Sequence, residues 1–171
     1  RRPERLPVVL SREEARRLLA VTEGTVGLML RLLYGTGMRL MEVLRLRVKD
    51  IDFERGQITV REGKGAKDRA VMLPEVLREP LRAHLERVRV LYDRDRAEGV
   101  GGVWLPGALE VKYPNAGKEW GWQWVFPSKE ISVDPRGGAR RRHHAHDHVV
   151  GRALSEARRV AGIDKPVSAH T

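Results

Sequence analysis

Residues 33–44 of the chain read LYGTGMRLMEVL, which joins the end of one helical segment to the start of another. Upstream, residues 26–34 are almost continuously apolar, and this predicts a buried helix that Gly35 and Gly37 bring to an end. Downstream, apolar residues recur at helical spacing over about residues 38–46, which predicts a further helix. The chain is therefore expected to be built mainly on helices.

Helical signals also occur on both sides of this stretch. Ser11 and Glu14 have the spacing of a capping box, which predicts a first helix over about residues 11–21. A long amphipathic helix is predicted after Pro80, and a last one over about residues 145–161.

Short segments with alternating apolar positions lie between these helices. They cover residues 51–53, 57–61 and 70–73 and are separated by Gly56 and by the tripeptide GKG at 63–65. This pattern predicts a small three-stranded antiparallel sheet. The expected fold class is mainly α with that small sheet, an α+β arrangement.

Residues 104–142 differ from the rest, because they are rich in Trp, Pro, Gly and Arg and have no helical period. Trp120, Trp122, Trp124 and Phe126 alternate, so an extended strand would place all four rings on one face. Unpaired nucleic-acid bases stack on such faces, and packing against the core is the alternative. We expect some of these rings to be buried and one or two to face a ligand.

Composition narrows the class of partner. The chain has 171 residues, with 33 Lys plus Arg against 23 Asp plus Glu and a formal net charge of +10. This balance favours a nucleic-acid partner, and a merely soluble basic surface is the alternative. The lack of cysteine excludes disulfide scaffolds, cysteine nucleophiles and thiolate metal sites. No apolar run approaches the ~20 residues of a membrane span, so a cytoplasmic protein without a membrane partner is expected.

Arg39 is the first candidate for chemistry. It is placed in the opening turn of the predicted third helix, where the helix dipole disfavours a cation by up to about 1 kcal/mol. A bound phosphate would be favoured there by free backbone N–H groups and by the guanidinium fork. Structural pairing with Glu42, one turn along, is the alternative, and the residues alone leave both open.

Lys64 is the second candidate. It lies between Gly63 and Gly65 at the predicted hairpin tip, where a flexible ammonium group can swing into a neighbouring site. An ordinary solvated lysine is the alternative. A Walker phosphate loop is excluded, because no glycine precedes this Gly-Lys pair at the required distance.

These motifs together resemble the catalytic domain of the tyrosine recombinases, the lambda-integrase-type site-specific DNA recombinases. The resemblance is carried by LYGTGMRLMEVL at 33–44, DID at 50–52, GKGAKDR at 63–69, VMLP at 71–74, LSREE at 10–14 and PVSAHT at 166–171. It covers nearly the whole chain.

The resemblance implies a phosphoryl transfer that needs no cofactor. A tyrosine hydroxyl attacks a DNA phosphodiester, forms a 3'-phosphotyrosyl link and frees a 5'-hydroxyl, while cationic side chains stabilise the charge that develops. By motif, Arg39 would hold the phosphate and Lys64 would be the general acid, a role for which Lys67 is less favoured. His170 matches the first residue of the family's His-x-x-Arg element. Lys67 and Arg69 are expected to contact DNA.

A narrower resemblance is to the integron integrases, and it would make about residues 104–148 an insertion. It is carried by KYPNA at 112–116, EWGWQWVFPS at 119–128, DPR at 134–136 and RRHH at 141–144. It implies that gene-cassette sites are recognised as folded single strands with extrahelical bases, alongside double-stranded attachment sites, by a DNA-bound homotetramer. The DNA contacts expected here are Trp120, Trp122, Trp124, Arg140, Arg141, Arg142, His143 and His144.

The sequence departs from the family pattern at its end. The second arginine, the later His or Trp and the nucleophilic tyrosine have no match, since Tyr34, Tyr92 and Tyr113 lie in other motifs and Tyr34 is expected in the core. Residues 1–10 are expected to be a linker remnant and 11–171 a catalytic domain truncated at its C-terminus. We therefore expect this polypeptide alone to be inactive.

Two other classes of function compete with this interpretation. One is a non-enzymatic basic module that binds structured nucleic acid. The other is a metalloprotein, because His144 and His148 would lie one turn apart on a helix beside Asp147. Ala145 stands where the zinc-protease pattern requires Glu, so no metal site is predicted.

Overall fold

The computed structural model describes residues 8–61 and 67–171. In this part of the chain there are six α-helices, three single-turn 3-10 helices and two antiparallel sheets. The α-helices are α1 (Arg12–Ala20), α2 (Gly24–Thr36), α3 (Leu40–Leu44), α4 (Glu75–Ala97), α5 (Leu109–Lys112) and α6 (Asp147–Val160). The 3-10 helices are Val48–Asp50, Ala116–Lys118 and Trp120–Trp122.

The predicted three-stranded sheet is confirmed. It consists of β1 (Ile51–Asp52), β2 (Gln57–Val60) and β3 (Arg69–Met72), in the order β1-β2-β3 with antiparallel neighbours. A second sheet, which the sequence did not predict, is the antiparallel pair β4 (Pro127–Val133) and β5 (Arg140–His144). The fold class, mainly helical with small antiparallel sheets, is as expected.

Local signals set the ends of the first helices. The Ser11 hydroxyl accepts from the Glu14 N–H at 3.1 Å, and the Glu14 carboxylate accepts from the Ser11 N–H at 2.7 Å, so the predicted capping box is present. Gly37 ends α2 with a φ of 67°, a conformation in which a side chain would be strained. This turn makes Arg39 the last extended residue before α3.

The main core surrounds α2, which contacts α1, α3, α4 and α6. Fully buried side chains from five elements meet there: Leu32, Val43, Leu44, Ile58, Leu81 and Val150. Complete burial of one such side chain stabilises the fold by about 1.5–3 kcal/mol. α3 and the β1–β3 sheet are therefore held against one core, and this fixes where Arg39 and Arg69 lie.

The predicted start of the long helix after Pro80 is wrong. α4 begins at Glu75 and carries Pro80 inside its second turn, although proline removes one backbone donor there. Leu77 is buried and extends the apolar stripe of Leu81 and Leu85 by one turn. Burial of this extra turn favours the earlier start.

Residues 103–146, which we call the aromatic lobe, contact the body at several places, and one of them is a short backbone bridge. The Val48 N–H donates to the Gln123 carbonyl at 3.0 Å, and the Val125 N–H donates to the Leu46 carbonyl at 2.9 Å. Phe126 is fully buried and belongs to the main core. The lobe is thus attached at this bridge to the segment that follows α3.

Two expectations for aromatic residues are wrong. Trp120 and Trp122 lie in a single 3-10 turn and not in a strand, so the four alternating rings do not share one face. Tyr34 is not a core residue, because it is 61% exposed at the end of α2.

In the described residues, no helix combines the length and apolar character needed to cross a membrane.

Candidate functional site

Arg39 stands immediately before α3, where Glu42 holds it at two points. The Arg39 N–H donates to Oε2 of Glu42 at 2.8 Å, and its Nη1 donates to Oε1 at 3.0 Å. The structural pairing of Arg39 with Glu42, one of the two alternatives that the sequence left open, is therefore present. The Arg39 side chain nevertheless remains 55% exposed, so a ligand can reach it.

Arg69 approaches the same carboxylate from β3. Its Nη1 donates to Oε1 of Glu42 at 2.9 Å and its Nη2 donates to Oε2 at 2.7 Å, which is a bidentate pair. The Glu42 side chain is only 11% exposed. The Arg69 hydrogen bonds, opposed by partial burial and helped by the Arg39 N–H, lower the Glu42 pKa to about 2. Glu42 is thus ionised throughout the neutral range.

This cluster of two arginines and one carboxylate carries one unmatched positive charge. Such a cluster binds anionic oxygens, and phosphate oxygens match the geometry of a guanidinium fork. The free amide groups first considered at this helix start contribute little, because α3 has only five residues.

The chain segment on either side of 62–66 is tied to the body by ion pairs. Before it, Arg61 Nε contacts Oδ1 of the buried Asp50 at 2.5 Å. After it, Arg69 contacts Glu42, and Lys67 is exposed. The predicted general acid, Lys64, lies outside the described residues, so its convergence with Arg39 stays a prediction.

His170 is exposed in a turn that begins at Ser168. The Ser168 hydroxyl accepts from the His170 N–H at 3.2 Å. Lys165 anchors the preceding segment, because its Nζ donates to Glu14 Oε2 at 2.8 Å and to the Val9 carbonyl at 3.3 Å.

Arg39 and Arg69 are brought together through Glu42. Within the described residues, Lys67, His170 and the residues of the aromatic lobe form no hydrogen bond or ion pair with this cluster.

Arg47, which the sequence analysis did not single out, connects the aromatic lobe to the body. Its guanidinium lies 3.5 Å from the ring centre of Trp124 and 5.8 Å from that of Trp122. It donates to the carbonyls of Trp122 at 2.8 Å and Trp104 at 2.7 Å. Burial lowers the Arg47 pKa to about 10, against the opposing field of Asp50, so the group stays charged at neutral pH.

The three tryptophans predicted to contact DNA have different environments. Trp124 is only 4% exposed, between Arg47 and His144, so its ring is not open to a base. Trp122 is half-buried, with Lys49 Nζ 3.1 Å above its ring. Trp120 is half-buried beside the Arg89 guanidinium. The expected division between buried and partly open rings is present.

The three arginines of β5 also differ in burial and in their partners. Arg142 is buried and forms a bidentate pair with Asp95, at 2.6 and 2.8 Å, while its Nη1 donates to the Ser128 and Lys129 carbonyls. This guanidinium is fully engaged inside the protein and is not available to DNA. Arg141 pairs with Glu110 at 2.6 Å, whereas Arg140 is exposed.

The histidines of this region lie apart from any cluster suited to a metal. His144 belongs to β5 and not to a helix, and its Nδ1 lies 2.8 Å from the Ala145 carbonyl. Burial lowers the His144 pKa, so the ring is neutral at pH 7. His143 is half-buried next to it. Over residues 8–61 and 67–171, no group of three or more His, Asp or Glu side chains is arranged to hold a metal ion.

Sequence reasoning missed Arg47 and Asp95 as organising residues. A signal for Arg47 exists in the sequence, since it is a charged residue between the apolar Leu46 and Val48. Asp95 gives no such signal, because it is one of several charged residues in the last turns of α4.

Similarity to known proteins is extensive. The profile of the Phage integrase family matches residues 8–171. An integrase/recombinase of Escherichia coli is 55% identical over 167 residues, which is 98% of this chain and 50% of that protein. The tyrosine recombinase XerA of Thermococcus kodakarensis is 48% identical over 87 residues, covering 49% of this chain and 31% of that protein.

A solved structure shares the fold. The crystal structure of XerA recombinase superimposes with a TM-score of 0.61 at 26% identity, covering 99% of this chain and 48% of that one. The chain thus spans about half the length of the E. coli relative and of this structure.

Proposed function

The chain belongs to the Phage integrase family, and on that premise we propose that it forms part of a site-specific DNA recombinase that breaks and rejoins DNA through a 3'-phosphotyrosine link. The observation that carries the proposal is the exposed Arg39 guanidinium, held at the start of α3 by Glu42 and positioned within the matched motif. A guanidinium in this position can reach a phosphodiester and stabilise the charge that develops on it.

Each predicted residue has a defined task in this reaction. Arg39 donates to a nonbridging oxygen of the scissile phosphate, and Lys64 gives a proton to the leaving 5'-oxygen. His170 contacts the same phosphate or assists the proton transfer. The attacking tyrosine and a second arginine belong to the whole protein, and neither metal nor nucleotide takes part.

The narrower proposal is an integron integrase that integrates and excises gene cassettes as a cytoplasmic, DNA-bound homotetramer. It is supported by the aromatic lobe, whose sequence resembles the integron integrases, whereas the 55% identity to the E. coli integrase/recombinase supports the broader proposal. We assign DNA contacts to the accessible members of the predicted set, which are Lys67, Trp120, Trp122, Arg140 and His143. The buried Trp124 and Arg142, the paired Arg141, and His144, whose ring packs edge-on against Trp124, support the lobe.

Covalent trapping tests the recombinase proposal. The whole protein is mixed with a nicked duplex whose cleavage releases a short oligonucleotide, and the protein–DNA adduct is measured by denaturing electrophoresis. Arg39→Ala is expected to slow adduct formation about 10²–10³-fold, which is typical for removal of one transition-state donor. Arg16→Gln, in an exposed pair with Glu13 on α1, is the control for lost charge.

The possible outcomes separate the competing functions. A whole protein that binds the duplex but never forms an adduct is the non-enzymatic basic module. An Arg39→Ala variant that no longer folds, judged by circular dichroism, shows that the fold needs the Glu42 pair. Arg39→Lys, which keeps the charge, then serves as the second test.

Binding to folded strands tests the cassette proposal. A hairpin with unpaired extrahelical bases is expected to bind more tightly than the same hairpin fully paired, because each stacked base contributes about 1–3 kcal/mol. Trp122→Ala should reduce that difference. Equal affinity for both hairpins contradicts the integron assignment and leaves the broader proposal intact.

A further inference from the structure

We propose that Arg69 is a positioning residue, which occupies Glu42 so that Arg39 stays available to the DNA phosphate. This inference rests on the proposed function, and it replaces the earlier expectation that Arg69 itself contacts DNA.

Glu42 is saturated by its two arginines. Oε1 accepts from Arg39 Nη1 and Arg69 Nη1, and Oε2 accepts from the Arg39 backbone N–H and Arg69 Nη2, all within 3.0 Å. A carboxylate offers about four acceptor positions, and all are used. Three of the four donors remain if the Arg39 guanidinium turns away, so Glu42 is not left unpaired when Arg39 binds a ligand.

The two arginines are not equivalent. Arg69 holds Glu42 with a planar fork of two hydrogen bonds, whereas the Arg39 guanidinium contributes one. The Arg39 side chain is also more exposed, at 55% against 38% for Arg69. Arg39 is therefore the guanidinium that can be released towards an incoming phosphate, while Arg69 keeps the carboxylate neutralised.

Loss of Arg69 would change this balance. Glu42 would then have Arg39 as its single cation in the cluster, and the pair would carry no net charge. An incoming phosphodiester would have to compete with a carboxylate directly beside it. Removing the carboxylate as well should restore the availability of Arg39, and this rescue distinguishes positioning from direct contact.

DNA binding by the 171-residue chain tests the idea. The probe is a fluorescein-labelled 30-base-pair duplex, and fluorescence anisotropy gives its affinity at several KCl concentrations. We expect Arg69→Gln to weaken binding on the order of 10–100-fold, as for loss of a charge-assisted contact, and to flatten the salt slope by about 0.9 for one lost phosphate. The double variant Arg69→Gln/Glu42→Gln should recover most of the lost affinity and most of the salt slope. Adding Arg39→Ala to Arg69→Gln should weaken binding little further.

The matched control is the Arg159–Glu156 pair on α6. Arg159 also uses two nitrogens on one carboxylate, at 3.2 and 2.5 Å, but both side chains are exposed and no second arginine bonds to Glu156 in the described chain. Arg159→Gln should change affinity only through net charge, and adding Glu156→Gln should give no comparable rescue.

The outcomes distinguish failure of this inference from failure of the proposed function. A double variant that is folded but as weak as Arg69→Gln overturns the positioning role and makes Arg69 a direct DNA contact. Wild-type affinity and salt slope in Arg39→Ala overturn the proposed phosphate role itself. If Arg69→Gln does not fold, Glu42→Gln alone decides: the inference requires that it bind at least as tightly as the wild type.

Discussion

Glu42 is the residue on which the acid behaviour of the candidate site depends. Its pKa is held at about 2, first by the Arg69 fork and then by the Arg39 N–H, against an ordinary value near 4.5. We expect Arg69→Gln to raise the Glu42 pKa towards that ordinary value, because the largest stabilising contact of the carboxylate is lost. A ¹³C NMR titration of the Glu42 carboxyl carbon measures this, and an unchanged pKa would contradict the geometry.

The lowered pKa of Glu42 also determines how the stability of the fold changes with pH. A carboxylate whose pKa is lower in the folded than in the unfolded chain stabilises the fold fully above the unfolded pKa. For Glu42 this contribution is lost as the pH falls from about 4.5 towards 2. Glu42→Gln should therefore show a smaller loss of stability over that window than the wild type.

Only part of this cluster is visible in the sequence. The i, i+3 spacing of Arg39 and Glu42 predicts their pairing on one helix, and the structure contains it. Arg69 is 27 residues from Glu42, and only the position of β3 beside α3 brings the two together. A pattern of local spacing has no means of detecting such a contact.

At the scale of elements, the β4–β5 hairpin depends on a buried ion pair with α4. Asp95→Asn leaves the Arg142 guanidinium buried without its counter-ion, and we expect a loss of about 3–5 kcal/mol in the free energy of unfolding. Arg142→Met with Asp95→Leu should recover part of it, because both charges are removed. Urea denaturation measures the free energy of unfolding of the wild type, the single variant and the double variant.

Asp93 on the same helix provides the control. It pairs with Arg89 at 3.3 Å, and both side chains are at least half exposed. Asp93→Asn should change stability by no more than about 0.5 kcal/mol. Equal losses of unfolding free energy in Asp93→Asn and Asp95→Asn would show that the buried pair stabilises the fold no more than the exposed one.

This hairpin explains why the sequence did not predict the second sheet. β5 consists of Arg140–His144, whose polar residues show no apolar alternation, and the strand is held by ion pairs instead. The alternating tryptophans suggested a strand where the structure has none. Gln123 donates to the Gly117 and Glu119 carbonyls at 3.0 and 2.7 Å, which stabilises a tight turn where period-2 spacing predicted a strand.

For the whole molecule, features that depend on contacts between residues near in sequence can be predicted, and features that depend on distant residues cannot. The helices and the three-stranded sheet of the body carry their own periodicity, so their existence follows from short windows of sequence. The attachment of the aromatic lobe does not, because Arg47 bonds to carbonyls 57 and 75 residues away. The position of Lys64 relative to Arg39 is also a long-range question, and it lies outside the described residues.

Arg47 should therefore control how firmly the lobe is attached. Arg47→Met keeps an apolar side chain between Trp122 and Trp124 but removes the donors to the Trp104 and Trp122 carbonyls. We expect a loss of about 1–3 kcal/mol in the free energy of unfolding, since two partly buried acceptors lose a charged donor. Hydrogen exchange should quicken at the Val48 and Val125 amides, which form the bridge, and remain unchanged in the β2–β3 ladder.

Lys49→Met separates this role from a simple cation–aromatic contact. Lys49 lies on the outer face of Trp122, 3.1 Å from the ring centre, where an exposed cation contributes about 0.5–1 kcal/mol. Because Lys49 donates to no lobe carbonyl among the described contacts, its loss should leave the bridge amides protected. If Lys49→Met and Arg47→Met speed exchange equally, or if neither does, the buried guanidinium is not what holds the lobe to the body.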